Sequence, residues 1–129
     1  AIFGDTVVIG AFWDDDNGTD SGSAYLFACI NDTWMYQAKL KAPDGAANDR
    51  FGLSVGIYDD VVIVGSDGDD DIEMDRGSAH AFVRNGVTWT HHAKLVAPRT
   101  GKWFGRSLGI YNDTIISGSY SGEVYVFLE

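Results

Sequence analysis

Cysteine is nearly missing from this chain: Cys29 stands alone among 129 residues. No internal disulfide can form, so Cys29 reads as a small buried hydrophobe or as one half of an intermolecular bridge. Basic residues are scarce as well. Nine Lys and Arg face nineteen Asp and Glu, a net charge of −10, which argues against nucleic acid and against anionic membrane surfaces as partners. No apolar run approaches the roughly eighteen residues of a membrane span. No window keeps apolar residues at i, i+3, i+4 and i+7 long enough to argue a helix. No signal peptide is visible and Ala1 is not a methionine, as expected of a processed amino terminus or of a window on a longer polypeptide.

What is present is repetition. Ile2-Phe3-Gly4-Asp5-Thr6-Val7-Val8-Ile9-Gly10-Ala11 returns as Ile57-Tyr58-Asp59-Asp60-Val61-Val62-Ile63-Val64-Gly65-Ser66 and again as Ile110-Tyr111-Asn112-Asp113-Thr114-Ile115-Ile116-Ser117-Gly118-Ser119, at offsets of 55 and 53 residues. Other landmarks keep step. Gly22-Ser23-Ala24-Tyr25 matches Gly77-Ser78-Ala79-His80, Trp34 matches Trp89, and Phe51-Gly52 matches Phe104-Gly105. A period of this size means an array of supersecondary units. We divide the single array, 1–129, into repeat one (2–56), repeat two (57–109) and a partial repeat three (110–129).

Each copy holds four short runs rich in Val, Ile, Tyr, Phe and Trp between Gly, Asp and Asn clusters, the pattern of strands and turns. In repeat two these fall near 51–57, 60–66, 77–84 and 88–95. Val61-Val62-Ile63-Val64 is apolar on both faces, so the strand must be covered on both sides. A sandwich has no reason to repeat, and a β-helix repeats at shorter periods. The expected fold is all-β, about two and a half four-stranded β-propeller blades in an incomplete ring. Gly10, Gly22 and their counterparts read as turn punctuation and close backbone approach. Phe51 and Phe104 are expected to plug the gaps between blades, and Trp34 and Trp89 to pack the outer strands.

Phe51-Gly52 followed by Gly65-Ser66-Asp67, and Phe104-Gly105 followed by Gly118-Ser119-Tyr120, resemble FG-GAP repeats; Gly10-Ala11-Phe12 is similar to the second half of the motif. No copy keeps the motif's final proline. The resemblance covers essentially the whole chain. It implies integrin-alpha-like propeller blades and a role as an extracellular structural or adhesive module.

Ten of the nineteen acidic residues crowd two equivalent loops, Gly10 to Gly22 and Gly65 to Gly77. Asp14, Asp16 and Asp20, with their counterparts Asp69, Asp71 and Asp75, resemble the first, third and seventh positions of a Ca2+ loop. The competing reading is a solvated acidic surface. Neither loop ends on a bidentate glutamate, the second loses the turn glycine at Gly18, and the third copy deletes the loop. Three sequons, at Asn17, Asn31 and Asn112, fall in expected turns and point to N-linked glycans on a secreted or cell-surface protein, unless they are turn residues alone.

Catalytic residues find little support. His80 replaces Tyr25 and Tyr125 of the other copies and reads as packing, while His91 and His92 are adjacent on one strand and face opposite ways. No enzyme is expected. Three functions stay open: an extracellular structural or adhesive module acting on a protein partner or by self-association, a calcium- or glycan-binding module, and the non-catalytic propeller part of a larger hydrolase.

Overall fold

The computed structural model describes residues 1–70, 76–97, 102–120 and 122–128. They form eleven strands and no helix: β1 (Ile2–Phe3), β2 (Thr6–Ala11), β3 (Ser23–Ile30), β4 (Thr33–Leu40), β5 (Ser54–Tyr58), β6 (Val61–Ser66), β7 (Ser78–Asn85), β8 (Thr88–Leu95), β9 (Ser107–Tyr111), β10 (Thr114–Gly118) and β11 (Val124–Leu128). Three antiparallel sheets result, in the orders β1-β2-β3-β4, β5-β6-β7-β8 and β9-β10-β11. They are successive blades of an incomplete propeller.

The hairpin turns explain the clusters of small polar residues. Asn31, Asp32, Asp59 and Asn112 take left-handed backbone with φ of 51, 62, 53 and 53°. Asn and Asp tolerate that region because their short side chains bond locally to the backbone. Between turns, the β-branched runs form the ladders. Val62, Ile63 and Val64 on β6 are all fully buried, because β6 lies in the middle blade and both of its faces are covered. Val62 and Val64 join Val8, Leu26, Phe51, Phe82 and Trp89 in the core between blades one and two. Ile63 turns the other way, to Ala81 and Ile115 against blade three.

The Phe-Gly pairs lie just before the first strands of blades two and three rather than within them. Phe51 bridges to Gly22 and Phe104 to Gly77, and both rings are completely buried at the seams between blades. The Phe51 ring meets His80 and Phe82 of blade two at centroid distances of 5.7 and 6.0 Å. Here the glycine spacing acquires its reason. A Cβ on Gly10 would sit 1.8 Å from the Gly52 carbonyl oxygen, and one on Gly65 would sit 2.0 Å from that of Gly105. Each seam is a contact of backbone on backbone that no side chain can enter.

Trp89 is buried as expected, and its Nε1–H donates to Gln37 Oε1 across the first seam at 2.7 Å. Trp34 departs from the expectation: at the same position in blade one it is 48% exposed against 9% for Trp89. Among the described residues no blade lies over it, and with Val7, Ile9 and Phe27 it lines an open groove. Cys29 is free and half-buried on β3.

Candidate functional site

The described parts of the acidic loops follow β2 and β6, and lysines on the fourth strands reach them. In blade one, Asp14 accepts from Ser23 Oγ at 2.7 Å and from the Tyr25 hydroxyl at 3.2 Å. Lys39 Nζ lies 2.9 Å from Asp14 and also donates to Asp16, with Lys41 3.7 Å from Asp16. The hydrogen bonds from Lys39 and Ser23 hold the Asp14 carboxyl well below the usual range. Hydrogen bonds to Asp16 first, and then to Asp14, hold the Lys39 ammonium well above its own. Asp14 and Asp16 therefore converge on an ammonium. Asp20 stands apart from them, its backbone N–H bonded to Asp15 at 2.8 Å. Asp14, Asp16 and Asp20 do not bring one carboxylate oxygen each within 4.8 Å of the others.

In blade two, Asp69 repeats the role of Asp14. It is buried, accepts from Ser78 Oγ at 2.6 Å and pairs with Lys94 at 2.8 Å. Its expected companions Asp71 and Asp75 lie outside the described residues. What differs is the neighbour. Tyr25 is replaced by His80, whose imidazole does not donate to Asp69. Its Nδ1 lies 2.9 Å from Nε2 of His91. Its Nε2 is buried without a hydrogen-bond partner, 3.8 Å from Oδ1 of Asp44. Burial, ahead of the opposing pull of Asp44, lowers the His80 pKa to about 4. Burial also lowers that of His91. Asp44, on the connector from blade one, shares Lys94 with Asp69 at 2.6 Å.

Among the described residues, Asp44, Asp69 and His80 are the set of three whose ligand atoms lie within 4.8 Å of one another. The set is not visible in the repeat pattern, for two physical reasons. The β7–β8 ladder slips at a bulge between Ala81 and Phe82, pairing Phe82 with His91. Unbroken alternation would have put His92 opposite Phe82; the bulge gives that place to His91. Asp44 belongs to a connector whose counterpart in the next copy is Arg99, so the repeat itself hides it. The Tyr-to-His exchange was the available signal.

Two more features adjoin these loops. Asp67 is fully buried between Arg50 and Arg106, at 2.9 and 3.1 Å. Burial pushes its carboxyl up while the two guanidiniums pull it down. Beside it a cleft is lined by Trp13, Asp20, Asn48, Arg50, Gly68, Asp70 and Trp103. The sequons Asn17, Asn31 and Asn112 are all exposed, Asn31 and Asn112 on hairpin turns and Asn17 in the first acidic loop.

Among the described residues no helix is long and apolar enough to cross a membrane. Comparison with curated proteins returns no match. The FG-GAP repeat family model matches residues 1–27 and 34–82, which take in the first blade apart from its β3–β4 turn, the first seam and β5 to β7 up to Phe82 of the second. The Phe-Gly seams and the blade order agree with that match, and the chain belongs to the FG-GAP repeat family.

Proposed function

We propose that this chain is a segment of an extracellular, adhesive propeller whose two outermost blade faces are each covered by a further FG-GAP blade. One observation carries the reading. Positions buried in the middle blade lie open in its neighbours, on opposite sides. Val62, Val64, Phe82 and Trp89 are covered by blade one, whereas their equivalents Val7, Ile9, Phe27 and Trp34 line an open apolar groove. On the other side Ala79 is 0% exposed and its blade-three equivalent Val124 is 82% exposed. Ile116 and Val126 are exposed beside it. Apolar surface of this extent marks an interaction site, and a surface that repeats an internal seam is complementary to the other half of that seam.

The extracellular part of the reading rests on the exposed sequon turns, where a glycan projects without touching a ladder. Expressed through a eukaryotic secretory pathway, the protein is expected to carry glycan on Asn31 and Asn112. Enzymatic deglycosylation then lowers the intact mass, and Asn31→Gln and Asn112→Gln each remove one increment. An intact mass that deglycosylation leaves unchanged refutes this part of the proposal.

A second reading, glycan binding, is favoured by the cleft beside Asp67. Eight described residues other than glycine have left-handed backbone. Four make hairpin turns; the other four, Asp20, Asn48, Arg50 and Trp103, with φ of 54, 68, 56 and 67°, all line this cleft. Strain of this kind gathers where a site is held in shape. Trp103 is stacked by Arg50 and Arg106, which leaves the exposed Trp13 as the platform for a sugar face, with Asp20, Asp70 and Asn48 to bond its hydroxyls. A glycan array probed with the protein and with Trp13→Ala tests this; equal signals from the two exclude the cleft.

A further inference from the structure

We propose that Asp44, Asp69 and His80 form a divalent transition-metal site, of the zinc class, that fastens the connector between blades one and two to the second blade. The three residues come from three segments: the connector, the β6–β7 loop and β7. Each offers one ligand atom within 4.8 Å of the other two. An imidazole with two carboxylates is a donor set suited to zinc and its first-row neighbours, and less to calcium, which takes oxygen alone.

The observation that separates this cluster from an ordinary acidic patch is His80 itself. It is 1% exposed, yet its Nε2 has no hydrogen-bond partner and lies 3.8 Å from Asp44 Oδ1, too far for a hydrogen bond. Buried nitrogen without a partner costs free energy. His91 supplies the companion feature of a histidine ligand. With Nδ1–H of His80 donating to Nε2 of His91 across 2.9 Å, the lone pair of His80 Nε2 is directed away from His91. An outer partner on the other ring nitrogen is how metal-binding histidines are oriented.

Lys94 marks where the cation goes. Its ammonium lies 2.6 Å from Asp44 and 2.8 Å from Asp69, bridging the two carboxylates with a single charge. A divalent ion bridges them with two and also satisfies His80 Nε2, which the ammonium leaves bare. Its long stem lets the Lys94 head swing outward as the ion enters. Blade one supplies the internal comparison. There the Tyr25 hydroxyl bonds Asp14, no buried side-chain atom of the cluster is left without a partner, and no such set forms among the described residues.

The test is calorimetric titration of the whole chain with zinc, paired with thermal melting. Wild type is expected to bind one zinc with a rise in Tm, by the mass action of a ligand that prefers the folded state. His80→Tyr, which installs the blade-one residue, and Asp44→Asn, on the half-exposed connector, are each expected to weaken binding by at least about tenfold. Lys94→Met keeps the stem, removes the competing charge and is expected to tighten binding. His92→Ala leaves it unchanged. Should His80→Tyr fail to fold, Asp44→Asn and Lys94→Met still decide. Absence of zinc binding by both wild type and Lys94→Met overturns the proposal. So does binding that Asp44→Asn leaves undiminished, because the zinc then sits elsewhere.

Discussion

Gly10 and Gly65 make the same demand at successive seams. A Cβ on Gly65 would fall 2.0 Å from the Gly105 carbonyl oxygen, whereas one on Gly86, with φ of +66°, would meet nothing within 4 Å. Gly65→Ala is therefore expected to lower the unfolding free energy by about 3 kcal/mol or more, since backbone has to move. Gly86→Ala pays only for left-handed backbone, about 1 kcal/mol. Urea titrations that give the two the same cost would remove close approach as the reason for the glycines. His80 sets a second expectation at this scale. Its folded pKa of about 4 lies below the ordinary 6.5 because burial disfavours the charged ring, with Asp44 and Asp69 opposing and His91 and Lys94 reinforcing. The unfolded chain thus binds a proton that the folded one refuses. The stabilising contribution is fully present above pH 6.5 and is lost as the pH falls through about 4. Its size is on the order of 3 kcal/mol. Measured with a chelator present, stability between pH 7 and pH 4 should fall more steeply for the protein than for His80→Tyr. Parallel curves would show that the imidazole is not held neutral by the fold.

At the scale of strands, Trp34 and Trp89 form a natural comparison: the same residue at the same place in the repeat, one open and one covered. Trp89→Ala is expected to cost about 3–5 kcal/mol, the range for truncating a buried aromatic, and it also strips Gln37 of its donor. Trp34→Ala should cost less than about 1 kcal/mol in this chain, because little is buried to lose. Equal costs in chemical denaturation would contradict the burial assigned to the two blades. The elements themselves were legible in the sequence. The strand positions in repeat two, the double burial of Val62 to Val64 and the seam role of Phe51 follow from period and apolar pattern, which are local properties repeated in register. Asp44 beside His80 was not legible, because it depends on which connector crosses which blade. Nor was the choice of His91 over His92, since a one-residue bulge reverses the facing of neighbours and leaves no mark in composition. The exposure of Trp34 is of the same kind. A residue's type says that it can be buried, and only the neighbouring blade says whether it is.

For the molecule as a whole, the two open faces are the two halves of one seam. The face of Val7, Ile9, Phe27 and Trp34 is the equivalent of the blade-two face that blade one covers. The face of Ile116, Val124 and Val126 is the equivalent of the blade-two face that blade three covers. In a solution of this chain alone, the blade available to cover either face is another copy, joined head to tail. Such a contact is heterologous, and it closes into a ring or propagates according to its rotation. The exposed edge strands add to the tendency. We expect sedimentation to show association that grows with concentration, and two single-face variants to dissect it. Trp34→Lys spoils the first face and leaves the second; Val126→Lys does the reverse. Each alone should sediment as a monomer, because every contact requires one face of each kind. Mixed in equal amounts they should form a dimer and nothing longer, through the one intact face that each retains. A symmetric contact between like faces gives the opposite pattern, with each variant pairing with itself. A wild type that stays monomeric at every concentration, or a mixture that does, would show that these faces do not accept an FG-GAP blade from a second chain.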